Sequence, residues 1–240
     1  MLLVLPILSV VHKAWRDRNE SRAADRAEAL RPILTRFAIT DDVVEGSEIL
    51  ERVSYEELVA GAGRLLTKLR GADRERLANA LAQEGVIARA MRDTRSWRRS
   101  RRAIAAHLLG AAAVPAAMPD LVRLTQDRSE EVRRVAARGL GRMSDGRGVR
   151  ALISALEEPR VLSQGTVGLS MVRMGPAAAP SLRDALSSED LSVRGVAADV
   201  LGHLGDMHAV PPLIDRLKDD EPTVRLAAAA ALRRIGCLLY

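Results

Sequence analysis

The stretch EVRRVAARGLGRMSDGRGVRALISAL (residues 131–156) decides the fold, because a copy of it returns as SVRGVAADVLGHLGDMHAVPPLIDRL (residues 192–217). A worn copy passes through residues 163–175, and the first half of another ends at residue 236. The positions that close the first half of each copy, 144, 175, 205 and 236, are 31, 30 and 31 residues apart. Self-similarity at this period predicts stacked helical units in place of one central core.

Each copy has the pattern of a helix, a tight turn and a second helix. In residues 131–156, the first helix is predicted to place apolar residues on one side, namely Val132, Val135, Ala136, Leu140 and Met143. Gly146 and Gly148 are predicted to make the turn. The second helix is predicted to bury Val149, Leu152, Ile153 and Leu156, and Pro159 ends it. Helices of about 10–12 residues are too short to be stable alone, so neighbouring units must hold them.

These stretches resemble HEAT repeats, in particular the short bacterial kind also found in phycobilin lyase-like proteins. The resemblance covers about residues 97–240. It implies an all-α fold, an α-α superhelix or solenoid, that acts as a non-enzymatic protein-binding scaffold without a cofactor. A phycobilin lyase-like enzyme is the alternative that the same resemblance implies. The order of basic helix, helical cap and repeat array is also similar to bacterial HEAT-repeat proteins tethered to the inner membrane.

The chain divides into four segments. Residues 1–12 are an apolar N-terminal segment, residues 13–46 a charged amphipathic helix and linker, residues 47–92 a helical cap, and residues 93–240 an array of about four to five units. Within the cap, Ser54 and Glu57 form a capping-box pattern that starts a helix ending at Gly71. Asp73 is predicted to start the next helix. The cap is expected to cover the apolar end of the stack.

The apolar run Leu2–Val11 is too short to span a membrane by itself, since a spanning helix needs about 20 apolar residues. Its positive charges follow it, whereas a secretory signal carries them in front. Three interpretations stay open: the inner half of a membrane anchor that starts upstream, a segment lying in a membrane interface or on the protein, and a disordered end. An anchor would place the rest of the chain on the cytoplasmic face of the membrane.

The composition supports a helical array. Hydrophobic residues make up 48% of the chain and aromatic residues only 2%, which argues against immunoglobulin-like sandwiches. The single cysteine, Cys237, cannot form an internal disulfide; a reducing, cytoplasmic compartment fits, and a buried helix position is the favoured interpretation. None of the four histidines is followed by glutamate, and no small-molecule or metal site is evident.

Arginines recur at the third position of the motif and form a ladder, with Gln164 as the exception: Arg102, Arg133, Arg194 and Arg225. Acidic residues stand shortly before them, such as Asp127 before Arg133 and Asp190 before Arg194. We expect each arginine to pair with the acid of the preceding turn and so to align adjacent units. The alternative is a row of guanidinium groups that bind phosphate or carboxylate.

Residues 92–102 carry six arginines and one aspartate, a net charge of +5 in a chain whose total is +6. On a helix, four of these arginines would fall near one face beside Trp97, which gives the candidates Arg95, Trp97, Arg98, Arg99 and Arg102. This cluster is an alternative binding site, for nucleic acid, acidic lipid headgroups or an acidic protein. Otherwise it is a solvated helix with Trp97 packed on the cap.

The leading hypothesis places a protein partner on the row of second helices. Exposed candidates there are Arg123, Arg150, Ser154, Glu157, Arg183, Asp184, Asp215, Arg216 and Lys218. Their charges are of both signs, which suits a protein more than a polyanion, so nucleic acid is the less favoured partner.

Overall fold

The computed structural model describes residues 30–32, 34–35, 54–143, 145–157 and 162–236, which form two compact units, Met1–Ala88 and Arg89–Tyr240. All regular structure in these residues is helical, with no strand, so the predicted all-α class is confirmed. The predicted N-terminal amphipathic helix falls mostly outside the described residues. Residues 31–32 and 34–35 are helical, and Leu30 and Leu34 are buried.

The first unit contains helices α1 (Tyr55–Leu66) and α2 (Gly71–Gln83), which contact each other. The predicted cap of α1 is present, because the Ser54 Oγ accepts from the backbone N–H of Glu57 at 3.3 Å. The Ser54 hydroxyl also donates to the Glu57 carboxylate at 2.7 Å. The predicted boundary at Gly71 was wrong: α1 ends at Leu66, and Gly71, with φ +55°, opens α2. A left-handed glycine starts the helix here, where Asp73 had been expected to start it.

Helix α3 (Val86–Asp93) leads into the repeats of the second unit. The first helices of successive repeats are α4 (Arg99–Ala112), α6 (Glu130–Leu140), α8 (Gln164–Met174), α10 (Leu191–Leu204) and α12 (Pro222–Ile235). The second helices are α5 (Met118–Leu124), α7 (Gly146–Glu157), α9 (Ala179–Ala185) and α11 (Val210–Arg216). Each first helix contacts the next first helix, and each second helix packs on the first helix that follows it. One continuous apolar core lies between the two rows.

Glycines let the first helices approach until their backbones touch. A Cβ atom placed on Gly202 of α10 would lie 2.6 Å from the Cα of Ala231 on α12, and one on Gly141 would lie 2.6 Å from the carbonyl oxygen of Ser170 on α8. Gly110 and Gly139 meet in the same way between α4 and α6. The Leu-Gly pair in the motif therefore sets the helix spacing. This explains why the core is rich in alanine and poor in aromatic residues.

The connections inside the repeats differ in detail from the sequence-based expectation. Gly146 and Gly148 do not form the turn; they lie in the first turn of α7, because Asp145 accepts from the backbone N–H of Arg147 and starts that helix. Three other connections contain short 3₁₀ helices, at Pro115–Ala117, Gly175–Ala178 and Met207–Ala209. Cys237 lies outside the described residues, and the prediction that residues 47–92 cap the array stays a prediction.

Candidate binding surfaces

The arginine ladder is a set of buried clamps between repeats. Arg102 donates from Nε to Asp127 Oδ2 at 2.7 Å and from Nη2 to Asp127 Oδ1 at 2.8 Å. Its Nη1 donates to the carbonyl oxygens of Ser96 and Trp97 at 2.8 and 3.1 Å. Only 7% of Arg102 is exposed. The guanidinium therefore ties the turn before α4 to the turn before α6.

The same clamp recurs three repeats further along. Arg194 donates from Nε and Nη2 to the two carboxylate oxygens of Asp219 at 2.9 and 3.0 Å. Its Nη1 donates to the carbonyl oxygens of Ser188 and Glu189 at 2.9 and 2.8 Å. Bidentate pairs of this kind fix geometry as well as contribute energy. All three nitrogens of each guanidinium donate within the fold, which favours the structural role of these arginines over ligand binding.

The expected direction of the pairing was wrong. Each of these arginines binds the aspartate 25 residues after it, in the following turn, and takes only backbone carbonyls from the preceding turn. Arg133 likewise donates to the carbonyl oxygen of Asp127 at 2.8 Å, and Arg225 to those of Asp219 and Asp220. Asp190 caps α10 through the N–H groups of residues 192 and 193. Proximity in the sequence was misleading, because the aspartate that pairs with Arg102 or with Arg194 lies in the turn of the next repeat.

The electrostatics agree with the geometry. Hydrogen bonds from Arg194 hold the pKa of Asp219 below its usual range, against the opposing effect of burial. Burial raises the pKa of Asp127, but hydrogen bonds from Arg102 and from the Ser129 amide outweigh it and leave that pKa lowered. Both carboxylates are therefore ionised at neutral pH.

The predicted partner-binding residues on the second helices fall into two groups. Three arginines are engaged within the fold. Arg183 binds Asp206 at 2.6 Å, Arg216 binds Asp219 at 3.3 Å, and Arg123 binds Asp120 at 2.9 Å and the Thr94 carbonyl oxygen at 3.2 Å. The remaining candidates are exposed, and we call them the second-helix surface: Arg150, Ser154, Glu157, Asp184, Asp215 and Lys218.

The predicted arginine cluster is divided by the fold. Residues 94–98 form a turn, so Arg95 and Arg98 do not share a helix face with Arg99 as expected. Arg102 is buried in the ladder, so it is not one of the exposed arginines of this cluster. Trp97 does not pack on another element: 84% of it is exposed. A groove of about 780 Å³ joins this turn to the start of α6. We define the Arg–Trp surface as Arg95, Trp97, Arg98, Arg99, Arg128 and Arg134.

A second groove, of about 620 Å³, lies along α8, α10 and α12 and was not found from the sequence. Leu169 and Leu191 line it, with about half of each side chain exposed. Ser192 and His203 also line it, but they are eleven residues apart on α10, about 16 Å along the helix axis, so they cannot act as a nucleophile and base. The sequence feature that could have indicated this groove is a set of three glycines that line it: Gly165 and Gly168 of the worn repeat, and Gly195.

The described residues contain neither a metal-ligand cluster nor a membrane-spanning helix. No group of three His, Cys, Asp or Glu side chains there could hold a metal ion. His203 and His208 are both exposed, and His203 Nδ1 lies 2.9 Å from the carbonyl oxygen of Asp199. No helix in this part of the chain is long and apolar enough to cross a membrane. Residues 2–11 and Cys237 lie outside it.

Stacked two-helix repeats with a shared core define an α-solenoid of the armadillo type. The HEAT-repeat family profile matches residues 86–170 and 179–237. The chain belongs to the HEAT-repeat family. A search of curated proteins gives no match.

Three solved structures are reported as similar to this chain. An engineered protein is 19% identical, with 82% of this chain and 98% of that chain covered and a TM-score of 0.46. The archaeal HEAT-like repeats protein from Thermococcus onnurineus NA1 is 13% identical, with coverage of 76% and 80% and a TM-score of 0.46. The CpcE–CpcF complex of phycocyanin lyase from Nostoc sp. PCC7120 is 26% identical, with a TM-score of 0.42. There, 62% of this chain matches 64% of that chain, less than two thirds of its length.

Proposed function

We propose that this protein is a non-enzymatic scaffold that binds a protein partner on its second-helix surface. The observation that carries the proposal is the distribution of exposed polar side chains over α7, α9 and α11. Five of the six residues of this surface lie on these helices and Lys218 lies in the turn after α11, and the shared core behind them holds the helices in place. A rigid display of this kind lowers the entropy lost when a partner binds.

The charges of this surface favour a protein as the partner. Arg150 and Lys218 are positive, whereas Glu157, Asp184 and Asp215 are negative, so the sum is 2 − 3 = −1. A nucleic acid is bound mainly by neutralising phosphates with many cations, which this surface does not offer. Charges of both signs instead give a protein interface its register and its choice of partner.

A non-enzymatic role agrees with how the reactive groups are used. The buried guanidinium–carboxylate pairs of the Arg102–Asp127 and Arg194–Asp219 clamps lie between repeats. Their contacts within the fold support a role in stabilising the array.

Site-specific photocross-linking tests the proposal. A benzoylphenylalanine at Ser154 or Asp184 tests the second-helix surface, and one at the exposed Arg173 on α8 is the matched control on the first helices. We expect the same cross-linked protein from both test positions and not from the control. Equal cross-linking at all three positions, capture of nucleic acid alone, or no adduct at either test position would contradict the proposal.

We also propose that the chain is held at the cytoplasmic face of a membrane. Support comes from the apolar run Leu2–Val11 and the basic residues Lys13, Arg16 and Arg18 that follow it. Fractionation of cells that express the full chain or a chain lacking residues 2–11 tests this. We expect the full chain in the membrane fraction, released only by detergent, and the shortened chain in the supernatant. The same distribution for both chains would refute the tether.

A further inference from the structure

The repeats themselves show that the fold does not require Trp97. The residue five positions before each ladder arginine lies in the turn that the arginine clamps. It is Trp97 before Arg102, but Arg128, Glu189 and Asp220 in three other repeats. The ladder arginine contacts the backbone carbonyl oxygen of Trp97, Glu189 and Asp220, so the clamp does not depend on the side chain at this position. An exposed tryptophan in a chain with 2% aromatic residues therefore has a role other than packing.

Trp97 is exposed but held in place. The carbonyl oxygens of Ser96 and Trp97 both accept from Arg102, so the backbone on either side of the tryptophan is fixed. The Arg98 amide donates to the Ser96 hydroxyl at 3.3 Å, and the Arg98 guanidinium lies 4.9 Å from the centre of the indole ring. A large aromatic side chain on a fixed turn loses little entropy on binding, as is typical of interface anchors.

The charges around Trp97 are opposite in sign to those that a helix N-terminus favours. Acidic residues are favoured at a helix N-terminus, and α6 begins with Ser129-Glu130 and α10 with Asp190. At the equivalent place α4 begins with Arg98-Arg99 and has no side-chain cap. Both arginines are exposed. The fold alone would favour acids here, so the arginines indicate a negatively charged partner.

The side of the groove formed by the start of α6 indicates which kind of anion binds. Arg128 and Arg134 add positive charge there, but Glu130 and Glu131 are exposed in the same wall. A nucleic acid strand or an anionic bilayer would bring phosphates against these carboxylates. A peptide avoids this, because it can place acidic side chains on the arginines and neutral or basic ones beside the glutamates.

We propose that the Arg–Trp surface binds an acidic peptide segment of a partner protein. Its carboxylates pair with Arg98, Arg99 and Arg128, and one of its apolar side chains packs on the indole of Trp97. The inference rests on the proposed protein-binding function and adds to it a second contact, at the turn edge of the first repeat, with a stated chemistry.

Tryptophan fluorescence of the full chain gives a direct readout. Trp15 and Trp97 are the two tryptophans, so Trp15→Phe leaves Trp97 as the single reporter. The probe is a synthetic peptide of about twelve residues in which glutamate and serine alternate around one central leucine. We expect binding to shift the Trp97 emission to shorter wavelength. Affinity should fall when NaCl rises from about 0.05 M to about 0.5 M.

Charge reversal and competing anions decide the outcome. R98E/R99E should weaken peptide binding at least tenfold, whereas the matched pair R173E/R233E, exposed on other first helices, should change it less than twofold. Failure of the peptide to bind, or equal loss in both double variants, would overturn the inference. Tighter binding of a single-stranded oligonucleotide or of phosphatidylserine vesicles through the same arginines would also overturn it. Cross-linking from Ser154 in R98E/R99E separates the two proposals. If the inference is overturned but this cross-link to the partner persists, the proposed function still stands.

Discussion

Removing the charge of Asp219 tests how the repeats are held together. This carboxylate accepts from Arg194 Nε and Nη2, from Arg216 Nη1 at 3.3 Å and from the backbone N–H of Glu221 at 3.1 Å. Its side chain is 3% exposed and that of Arg194 is 13% exposed. Asp219→Asn keeps the size and one accepting oxygen but leaves the arginine without a counter-charge.

The magnitude follows from the bonds that are lost. The amide oxygen of asparagine at the Oδ1 position can still accept from Glu221 and from Arg194 Nη2. The amide NH2 group replaces Oδ2, so the bonds from Arg194 Nε and Arg216 Nη1 are lost; both are charge-assisted and each is worth about 1.5 kcal/mol net. Their sum of about 3 kcal/mol lies at the lower end of the range for breaking a buried ion pair on one side. We therefore expect Asp219→Asn to lower the free energy of unfolding by about 3 kcal/mol.

Urea unfolding at pH 7 followed by circular dichroism measures this loss, with Asp220→Asn as the control. Asp220 is the exposed neighbour, and the clamp on Arg225 uses only its carbonyl oxygen, so the control should cost less than about 0.5 kcal/mol. Equal losses in the two variants would refute the clamp as the tie between repeats.

The pH dependence gives a second check of the same pair. Because its folded-state pKa is lowered, Asp219 contributes its full stabilisation above its unfolded pKa of about 4 and loses it as pH falls through the folded value. The difference between the native chain and Asp219→Asn should therefore shrink below about pH 4. A difference that stays constant down to pH 3 would show that the charge does not matter.

Two further predictions concern the helix contacts and the absence of lyase chemistry. Gly202→Ala should destabilise the array by about 1–3 kcal/mol, because the new Cβ meets the Ala231 backbone. Gly195→Ala should stabilise it by up to about 1 kcal/mol, because a Cβ at this helix position faces open space. Urea unfolding of both variants checks that the two changes in free energy have opposite signs. Incubation of the chain with a bilin and an apo-phycobiliprotein should give no covalent adduct by mass spectrometry. An adduct that depends on the chain would contradict the proposed non-enzymatic role.

The repeat period predicted the fold because the buried core positions recur with the same period. Buried positions such as Val132, Leu140, Val193 and Leu201 recur with the helix spacing, so their periodicity is visible in the sequence. The partners of the ladder were not predictable in the same way. Arg102 pairs with Asp127, 25 residues later, and this distance depends on how two repeats stack.

The candidate surfaces were predictable only in part. The excess of arginine in residues 92–102 was visible, but the sequence could not show that Arg102 is buried while Trp97 is exposed. That difference arises because residues 94–98 form a turn whose carbonyl groups attract the ladder arginine inward. Likewise, the pairing of Arg183 with Asp206 depends on the path of the connection before α11 and removes one expected binding residue.

The stability of R98E/R99E most directly tests the central claim that the fold and the binding surface use different arginines. Urea unfolding should give a free energy equal to that of the native chain or up to about 1 kcal/mol higher, since acids suit the start of α4 better than arginines do. A loss of more than about 1 kcal/mol would contradict the account, because Arg98 and Arg99 would then be part of what holds the first repeat together.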